Sequence, residues 1–192
     1  MEAKLEKRYP LQVDAERAWT VLRDIKTVAG CMPGAALTEQ IDDDHYRGTV
    51  KVSLGPVMAT FGGNLQVVAR DEAARRLQLQ GKGADRSGSS AAMDMSAVIE
   101  PGEAPDACVL HGTSTVTVSG KFAQFGGRMI NQVSDMILGQ FVDNFRAAAA
   151  ALPGSDTATV AAAPRTAGEI HGLAILWAIV RSWFARLLGR ST

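Results

Sequence analysis

The stretch YRGTVKVSLGPVMATFGGNLQV, residues 46–67, alternates two kinds of side chain on both sides of a Gly-Pro turn. From Tyr46 to Leu54 every second residue is apolar or glycine, and the residues between them are polar. From Val57 to Val67 every second residue is again apolar or glycine. Because successive side chains of a strand point to opposite faces, this spacing predicts two strands, each with one buried face.

The same period of two recurs further along the chain. It is found in residues 77–83, 91–99 and 110–118, and more loosely in residues 5–13, where Lys7 stands among apolar residues. Consecutive one-sided strands with short connections predict an antiparallel sheet that has one apolar and one solvated face.

The other parts of the first 152 residues predict helices. Asp14 is a good N-cap for a short helix over residues 15–22, and the Pro33-Gly34 pair ends a second short helix. Residues 121–152 place apolar side chains three or four residues apart, which is helical spacing. A helix of about 30 residues is roughly 45 Å long and could cross the concave face of a curved sheet. The prediction is an α+β fold in which a curved antiparallel sheet wraps around a long C-terminal helix.

The inward face of the predicted sheet carries small residues between its large apolar ones, among them five glycines. Glycines relieve strain where strands bend, or they leave volume that a ligand occupies. Their number favours the second interpretation, a hydrophobic cavity between the sheet and the last helix, and methionines would give it adaptable walls. The predicted lining consists of Tyr46, Val50, Val52, Leu54, Phe61, Leu65, Leu79, Met93, Met95, Leu110, Ser114, Val116, Phe125, Met129, Val133, Met136, Ile137 and Phe141.

Charge and cysteine content exclude several classes of protein. Twenty Lys and Arg residues balance twenty Asp and Glu residues, so the formal net charge is zero. That balance argues against broad nucleic-acid binding, which needs a basic face. Two cysteines are too few for a disulfide framework, and residues 1–10 lack the apolar stretch of a secretory signal. We therefore expect a cytoplasmic protein.

Residues that could carry catalysis are sparse. The sequence contains no phosphate-binding loop, zinc-protease motif or serine-nucleophile motif. His45 follows three aspartates at a predicted hairpin and His111 alternates to the outward face, so we predict no metal site. The inward polar residues are too scattered to pair a nucleophile with a base. The prediction is a protein that is not an enzyme and has no covalent cofactor.

The composition of the chain changes after residue 152. Residues 153–169 are rich in Pro, Gly, Ala, Ser and Thr, which predicts a flexible linker after a ligand-binding domain over residues 1–152. Residues 170–190 predict an amphipathic cationic helix that suits the headgroup region of an anionic membrane. The predicted anchoring side chains are Leu173, Leu176, Trp177, Val180, Arg181, Trp183, Phe184, Arg186, Leu187 and Leu188.

Two other interpretations of this tail stay open. In a membrane-spanning helix, Arg181 would lie near the centre of the bilayer, which disfavours that orientation. Docking of the helix on a partner protein is the other alternative, because buried apolar area stabilises contact with protein or lipid alike.

Several stretches of the sequence are similar to one known family, that of the G subunit of carbon monoxide dehydrogenase, which belongs to the START-like helix-grip (SRPBCC) superfamily. The resemblance covers about residues 1–150. It is carried by Ala18-Trp19, Cys31-Met32-Pro33-Gly34, residues 48–63 (GTVKVSLGPVMATFGG) and residues 120–130 (GKFAQFGGRMI).

The resemblance implies the helix-grip fold and a non-enzymatic accessory protein. Such a protein would link a molybdenum hydroxylase of the carbon monoxide dehydrogenase type to the inner face of the cytoplasmic membrane and its quinone pool. It also implies a cavity for a hydrophobic ligand, menaquinone, ubiquinone or another lipid. We expect the protein to be cytoplasmic and peripherally attached to the cell membrane through its tail.

Two alternatives are kept open. A helix-grip enzyme of the polyketide cyclase or aromatase kind would bind apolar substrates in the same fold, and it predicts acid and base residues inside the cavity. A pure protein-docking module without a ligand predicts a filled core.

Overall fold

The structure, a computed structural model, describes residues 1–54 and 57–152. The predicted linker and tail helix, residues 153–192, lie outside the described residues. The elements in chain order are β1 (Glu2–Leu11), α1 (Ala15–Arg23), α2 (Ile25–Cys31), β2 (Ala35–Gln40), β3 (His45–Leu54), β4 (Val57–Asp71), β5 (Arg76–Ala84), β6 (Ser90–Pro101), β7 (Cys108–Ser119), a 3-10 helix (Gly120–Phe125) and α3 (Gly126–Ala151).

The strands form one seven-stranded sheet in the order β1-β7-β6-β5-β4-β3-β2, and all neighbours are antiparallel. The chain therefore runs as a meander from β2 to β7, and β1 closes on β7. This confirms the predicted antiparallel sheet, the two short helices after strand one and the long helix at the end of the domain.

The meander gives the sheet two distinct ends. The β3–β4, β5–β6 and β7–α3 connections lie at one of them, which we call the α3-start end. The β1–α1, β2–β3, β4–β5 and β6–β7 connections lie at the other, the α1 end. At the α3-start end, Gly62 of β4 pairs with Ala84, the last residue of β5, and Ser90 of β6 pairs with Ser119, the last residue of β7.

Aspartates cap both short helices, as expected from their carboxylate chemistry. The Asp14 side chain accepts a hydrogen bond from the Arg17 backbone N–H at 2.9 Å. Asp24 ends α1 and caps α2, where its side chain accepts from the Lys26 backbone N–H at 3.1 Å. α1 then buries Trp19, whose ring N–H donates to the Glu72 carboxylate at 2.6 Å.

Two elements differ from the prediction. Strand β2 was missed, because it is a short edge strand in which Leu37 is the one large apolar residue and the period of two is hard to detect. The last helix is not continuous from residue 121, since a 3-10 helix precedes α3 and Gly126 at their junction has a φ of 75°.

The core consists of two separate clusters. Cluster 1 has 21 buried residues and joins α1, α2 and the second half of α3 to the α1 end of the sheet. Cluster 2 has five, Ala3, Ala59, Val118, Phe122 and Ile130, and lies at the α3-start end. In cluster 2 the rings of Phe61 and Phe122 meet edge to face with their centroids 5.5 Å apart.

Candidate functional site

A band of half-buried side chains separates the two clusters on the inward face of the sheet. Its members point toward α3 or lie on the inward face of α3, but they belong to neither cluster. Val50 is the most accessible of them, with 38% of its surface exposed. We call this set the middle band; it consists of Leu5, Val50, Gly81, Met93, Gly112, Ser114 and Ile137.

Four of the five inward-facing glycines, Gly48, Gly63, Gly81 and Gly83, have neighbours within 4 Å of an added Cβ, and one, Gly112, has none. At Gly48 an added Cβ would lie 2.7 Å from the Ala36 carbonyl oxygen, and at Gly63 it would overlap the Lys82 carbonyl. These two glycines allow neighbouring backbones to approach closely. At Gly112 an added Cβ would meet no atom within 4 Å. Gly112 therefore faces open space next to the middle band.

The predicted cavity residues are distributed over four environments. Six of them belong to cluster 1 or pack against it: Tyr46, Leu65, Leu79, Met95, Leu110 and Phe141. Four pack against cluster 2: Val52, Phe61, Val116 and Val133. The middle band contains Val50, Met93, Ser114 and Ile137.

Four of the predicted lining residues are exposed, and the side chain of one is not described. Val50 of the middle band is 38% exposed. Phe125 and Met129 are each 36% exposed and Met136 is 54% exposed. They share a helical stripe with the buried residues in the sequence, but they lie to the solvent side of it in the structure. The side chain of Leu54 lies outside the described residues.

Lys7, the charged residue within the apolar pattern of β1, is explained by the last helix. Its ammonium group pairs with the Asp135 carboxylate of α3 at 2.8 Å. The hydrogen bond from Lys7 to Asp135 raises the pKa of the lysine. The sequence signal was Lys7 itself, whereas nothing in the pattern of α3 pointed to Asp135.

The Ser89 hydroxyl is buried without a hydrogen-bond partner, whereas Tyr46 and the two cysteines are engaged or unreactive. The Tyr46 hydroxyl donates to the Asp43 carbonyl at 3.0 Å, and burial raises the pKa of Tyr46. Burial also raises the pKa of Cys31, and it raises that of Cys108 to about 11. Among the described residues the interior therefore presents no activated nucleophile beside a base.

Both predicted surface histidines contact carboxylates at the protein surface. His111 lies between Glu6 and Glu100, with each carboxylate 3.0 Å from one ring nitrogen, and Arg8 also contacts Glu100. His45 contacts Asp42 at 2.9 Å. No group of three or more potential metal ligands occurs in residues 1–54 and 57–152.

Two depressions are present at the surface, and the lining of the second includes Leu5 and Ser114 of the middle band. One, of about 430 Å³, lies between α2 and β2 and is bordered by Lys26, Gly30 and Leu37. The other, of about 640 Å³, crosses the polar outer side of β1, β7, β6 and β5. Within the described part of the chain, no helix combines the length and hydropathy that a membrane crossing requires.

The sheet that grips a single long helix, with an apolar face between them, defines a helix-grip protein of the START-like class. Residues 10–150 match the CoxG family, described as the G subunit of carbon monoxide dehydrogenase. The chain belongs to this family. A comparison with curated protein sequences gives no match.

Solved structures confirm the fold at low sequence identity. A conserved protein from Geobacillus kaustophilus has a TM-score of 0.70 at 19% identity, over 77% of this chain and 95% of that one. The Zhui aromatase/cyclase from Streptomyces sp. R1128 has a TM-score of 0.56 at 12% identity, over 78% and 94%. A START superfamily protein from Mycobacterium smegmatis has a TM-score of 0.53 at 14% identity, over 75% and 94%.

Proposed function

We propose that this protein is a non-enzymatic carrier that holds a long apolar molecule, a quinone or another lipid, between the sheet and α3. The observation that carries the proposal is the middle band, where inward-facing apolar side chains stay half-buried between two closed clusters. Partly exposed apolar side chains are ordinary in folded proteins, but a row of them facing α3 between two buried clusters suits an apolar ligand. An apolar ligand lying along the band would remove them from water at about 25 cal/mol per Å² of buried area.

The polar groups of the band fit binding better than catalysis. Ser114 offers one hydroxyl, and the Lys7 ammonium is already paired with Asp135. An aromatase or cyclase would need an acid and a base that contact the substrate. The similarity to the Zhui enzyme lies in the fold, which by itself supports many functions.

The family supplies the partner in this proposal. The carrier would serve a molybdenum hydroxylase of the carbon monoxide dehydrogenase type, taking up its ligand at the inner face of the cytoplasmic membrane. Residues 170–190 would hold it there as an amphipathic helix, with Trp177, Arg181 and Trp183 at the headgroups.

The test fills the open space in front of Gly112. Gly112→Leu places a branched side chain there, and Thr113→Leu places the same side chain on the outer face as the matched control. Both variants and the parent are extracted with organic solvent, and each is titrated with a short-chain ubiquinone and a short-chain menaquinone. We expect at least tenfold weaker binding and less extracted lipid for Gly112→Leu, with Thr113→Leu unchanged.

Equal binding by all three proteins would overturn the assignment of the band, and a parent that binds neither quinone and releases no lipid would overturn the carrier. Urea unfolding of each variant checks that the fold is kept. Vesicle flotation of the double variant Trp177→Ser/Trp183→Ser tests the tail, and undiminished flotation would contradict an anchoring role.

A further inference from the structure

We propose that the α3-start end of the globular part itself docks on an anionic lipid surface. This contact would be separate from the predicted tail helix, and it does not depend on what ligand the middle band holds. Three observations carry it: exposed apolar side chains, basic residues around them, and an acidic surface at the opposite end of the domain.

The exposed apolar residues at this end are large and close to the connections. Met58 follows the β3–β4 connection and is 75% exposed, the highest value among the large apolar residues described. Phe125 ends the 3-10 helix and Met129 lies in the first turn of α3, each 36% exposed. Singly exposed apolar side chains are common on protein surfaces, so these three matter here because basic residues surround them.

Strand register places these residues at the same end. Ser53 pairs with Met58 beside the β3–β4 connection, and Gly62, four residues further along β4, pairs with Ala84 at the end of β5. The ring of Phe125 lies 5.8 Å from that of Phe122, which contacts Phe61 on β4. The 3-10 helix thus lies beside the β3–β4 hairpin.

Basic residues dominate the described connections of this end. Arg86 in the β5–β6 connection, Lys121 in the 3-10 helix and Arg128 in α3 are all exposed. Asp85 is the acidic residue of these segments, and its carboxylate accepts hydrogen bonds from the backbone N–H groups of Ser87 and Ser89. Glu2 at the start of β1 is a further exposed acid at this end, and Lys51 and Lys82 lie on the flanking strands.

The α1 end has the opposite charge. Among its connections Arg75 is the basic residue, and the acidic residues are Asp14, Asp42, Asp43, Asp44, Glu72, Glu103 and Asp106. Three of these acids pair with arginines of the flanking elements, Asp14 with Arg17, Glu72 with Arg23 and Asp44 with Arg70. Although the whole chain has no net charge, the connections at the two ends of the domain therefore differ in sign. The field of an anionic membrane would attract the α3-start end and repel the α1 end, so the domain would approach in one orientation.

The chemistry of the surface favours lipid over an acidic protein. Met58, Phe125 and Met129 are separate apolar points among long basic side chains, and they do not form a continuous flat patch. Such points insert between headgroups, while arginine and lysine stay at the phosphates. Cluster 2, which closes the interior at this end, would then face the bilayer.

The first test places a fluorescent reporter at the proposed contact. Met58→Cys in the full chain is labelled with a polarity-sensitive maleimide, and Ile41→Cys at the α1 end is the control, since Ile41 is also an exposed apolar residue, at 49%. The native thiols stay unlabelled because Cys31 is 4% and Cys108 1% exposed. We expect a blue shift for the label at position 58 with phosphatidylglycerol vesicles, none with phosphatidylcholine vesicles, and none at position 41.

The second test removes the charges. Each basic residue near an anionic surface contributes about 1 kcal/mol, so the full-chain variant Lys121→Gln/Arg128→Gln should need about 30-fold more phosphatidylglycerol for the half-maximal shift at position 58. The matched control, Lys26→Gln on α2, should change the phosphatidylglycerol concentration for the half-maximal shift less than twofold.

The tail is separated from this surface by the double variant Trp177→Ser/Trp183→Ser in the same labelled chain. We expect this variant to bind phosphatidylglycerol vesicles more weakly than the parent. The emission of the label at position 58 should still shift to the blue in the fraction that is vesicle-bound. A label that never shifts, or that shifts equally at positions 58 and 41, would overturn the proposal, as would a double charge variant that binds like the parent. Quinone binding by the same preparations is measured separately, so loss of the carrier function is not mistaken for loss of docking.

Discussion

At the scale of single residues, Cys108 shows how burial sets the chemistry of a side chain. It is 1% exposed at the start of β7, within cluster 1. Burial, helped by nearby Asp14 and opposed by Arg75, raises the pKa of this thiol from 9.0 to about 11. A thiol in this state is a small apolar core group and a poor nucleophile.

The raised pKa makes the stability of the protein depend on pH in the alkaline range. The native state holds the Cys108 proton more tightly than the unfolded state, so between about pH 9 and 11 the unfolded chain loses it first and stability falls as pH rises. We expect the parent to lose more free energy of unfolding between pH 8 and pH 10.5 than Cys108→Ala. Urea unfolding at both pH values with a reductant present measures this, and parallel losses in the two proteins would contradict it.

How far the sequence predicts individual positions depends on which physical rule decides them. The inward and outward sides of the strands followed from the period of two, because a single buried face imposes it on every residue. The same pattern does not distinguish Gly48 and Gly63, which allow close approach of neighbouring backbones, from Gly112, which faces open space. Only the paired strand opposite each glycine decides whether it meets a backbone or open space.

At the scale of elements, the 3-10 helix between β7 and α3 is the least regular part of the domain. It begins at Gly120, which has a φ of 74°, and is followed by Gly126, which has a φ of 75°. Between them Phe122 is 5% exposed and belongs to cluster 2. The two left-handed residues let the chain leave the sheet, bury one phenylalanine over its end and then enter α3.

Gly120 should therefore tolerate substitution poorly. An added Cβ would lie 2.7 Å from the Gly88 carbonyl oxygen, and a left-handed conformation costs a residue other than glycine about 1–3 kcal/mol. We expect Gly120→Ala to lower the free energy of unfolding by at least that amount in equilibrium urea titrations.

Gly139→Ala in the middle of α3 is the matched control. An added Cβ there meets no atom within 4 Å, and replacing a helical glycine by alanine stabilises a helix by up to about 1 kcal/mol. A Gly120→Ala variant as stable as the parent would show that the strand end shifts freely to admit the side chain.

Elements could be predicted where their amphipathic pattern is long. The six strands and the last helix fall into this class, since each repeats its period over nine or more residues in the structure. Strand β2 has six residues and lies at the sheet edge, and its pairing with β3 depends on tertiary context more than on its own pattern. The sequence does not predict the break before α3, because Phe122 and Phe125 continue the apolar spacing of the helix across it.

At the scale of the whole molecule, the division of the core predicts uneven local stability. Cluster 1 contains 21 buried residues and cluster 2 contains five, and α3 runs from one to the other. Val133 packs against cluster 2 and Phe145 against cluster 1, although both lie well inside the same helix. Local opening follows the amount of buried apolar contact. The α3-start end should therefore open more readily than the α1 end.

Hydrogen exchange measured by NMR compares these two amides within one helix. In the ligand-free protein we expect the Val133 amide to exchange at least tenfold faster than that of Phe145, a difference of about 1.4 kcal/mol in opening free energy. A bound quinone should slow the exchange of both amides, because the middle band lies between the two clusters and a ligand stabilises only the states that bind it. Equal protection of both amides without ligand would mean that α3 opens as one unit. The two clusters would then behave as a single core, and the interior would have no separately opening end through which an apolar molecule could pass.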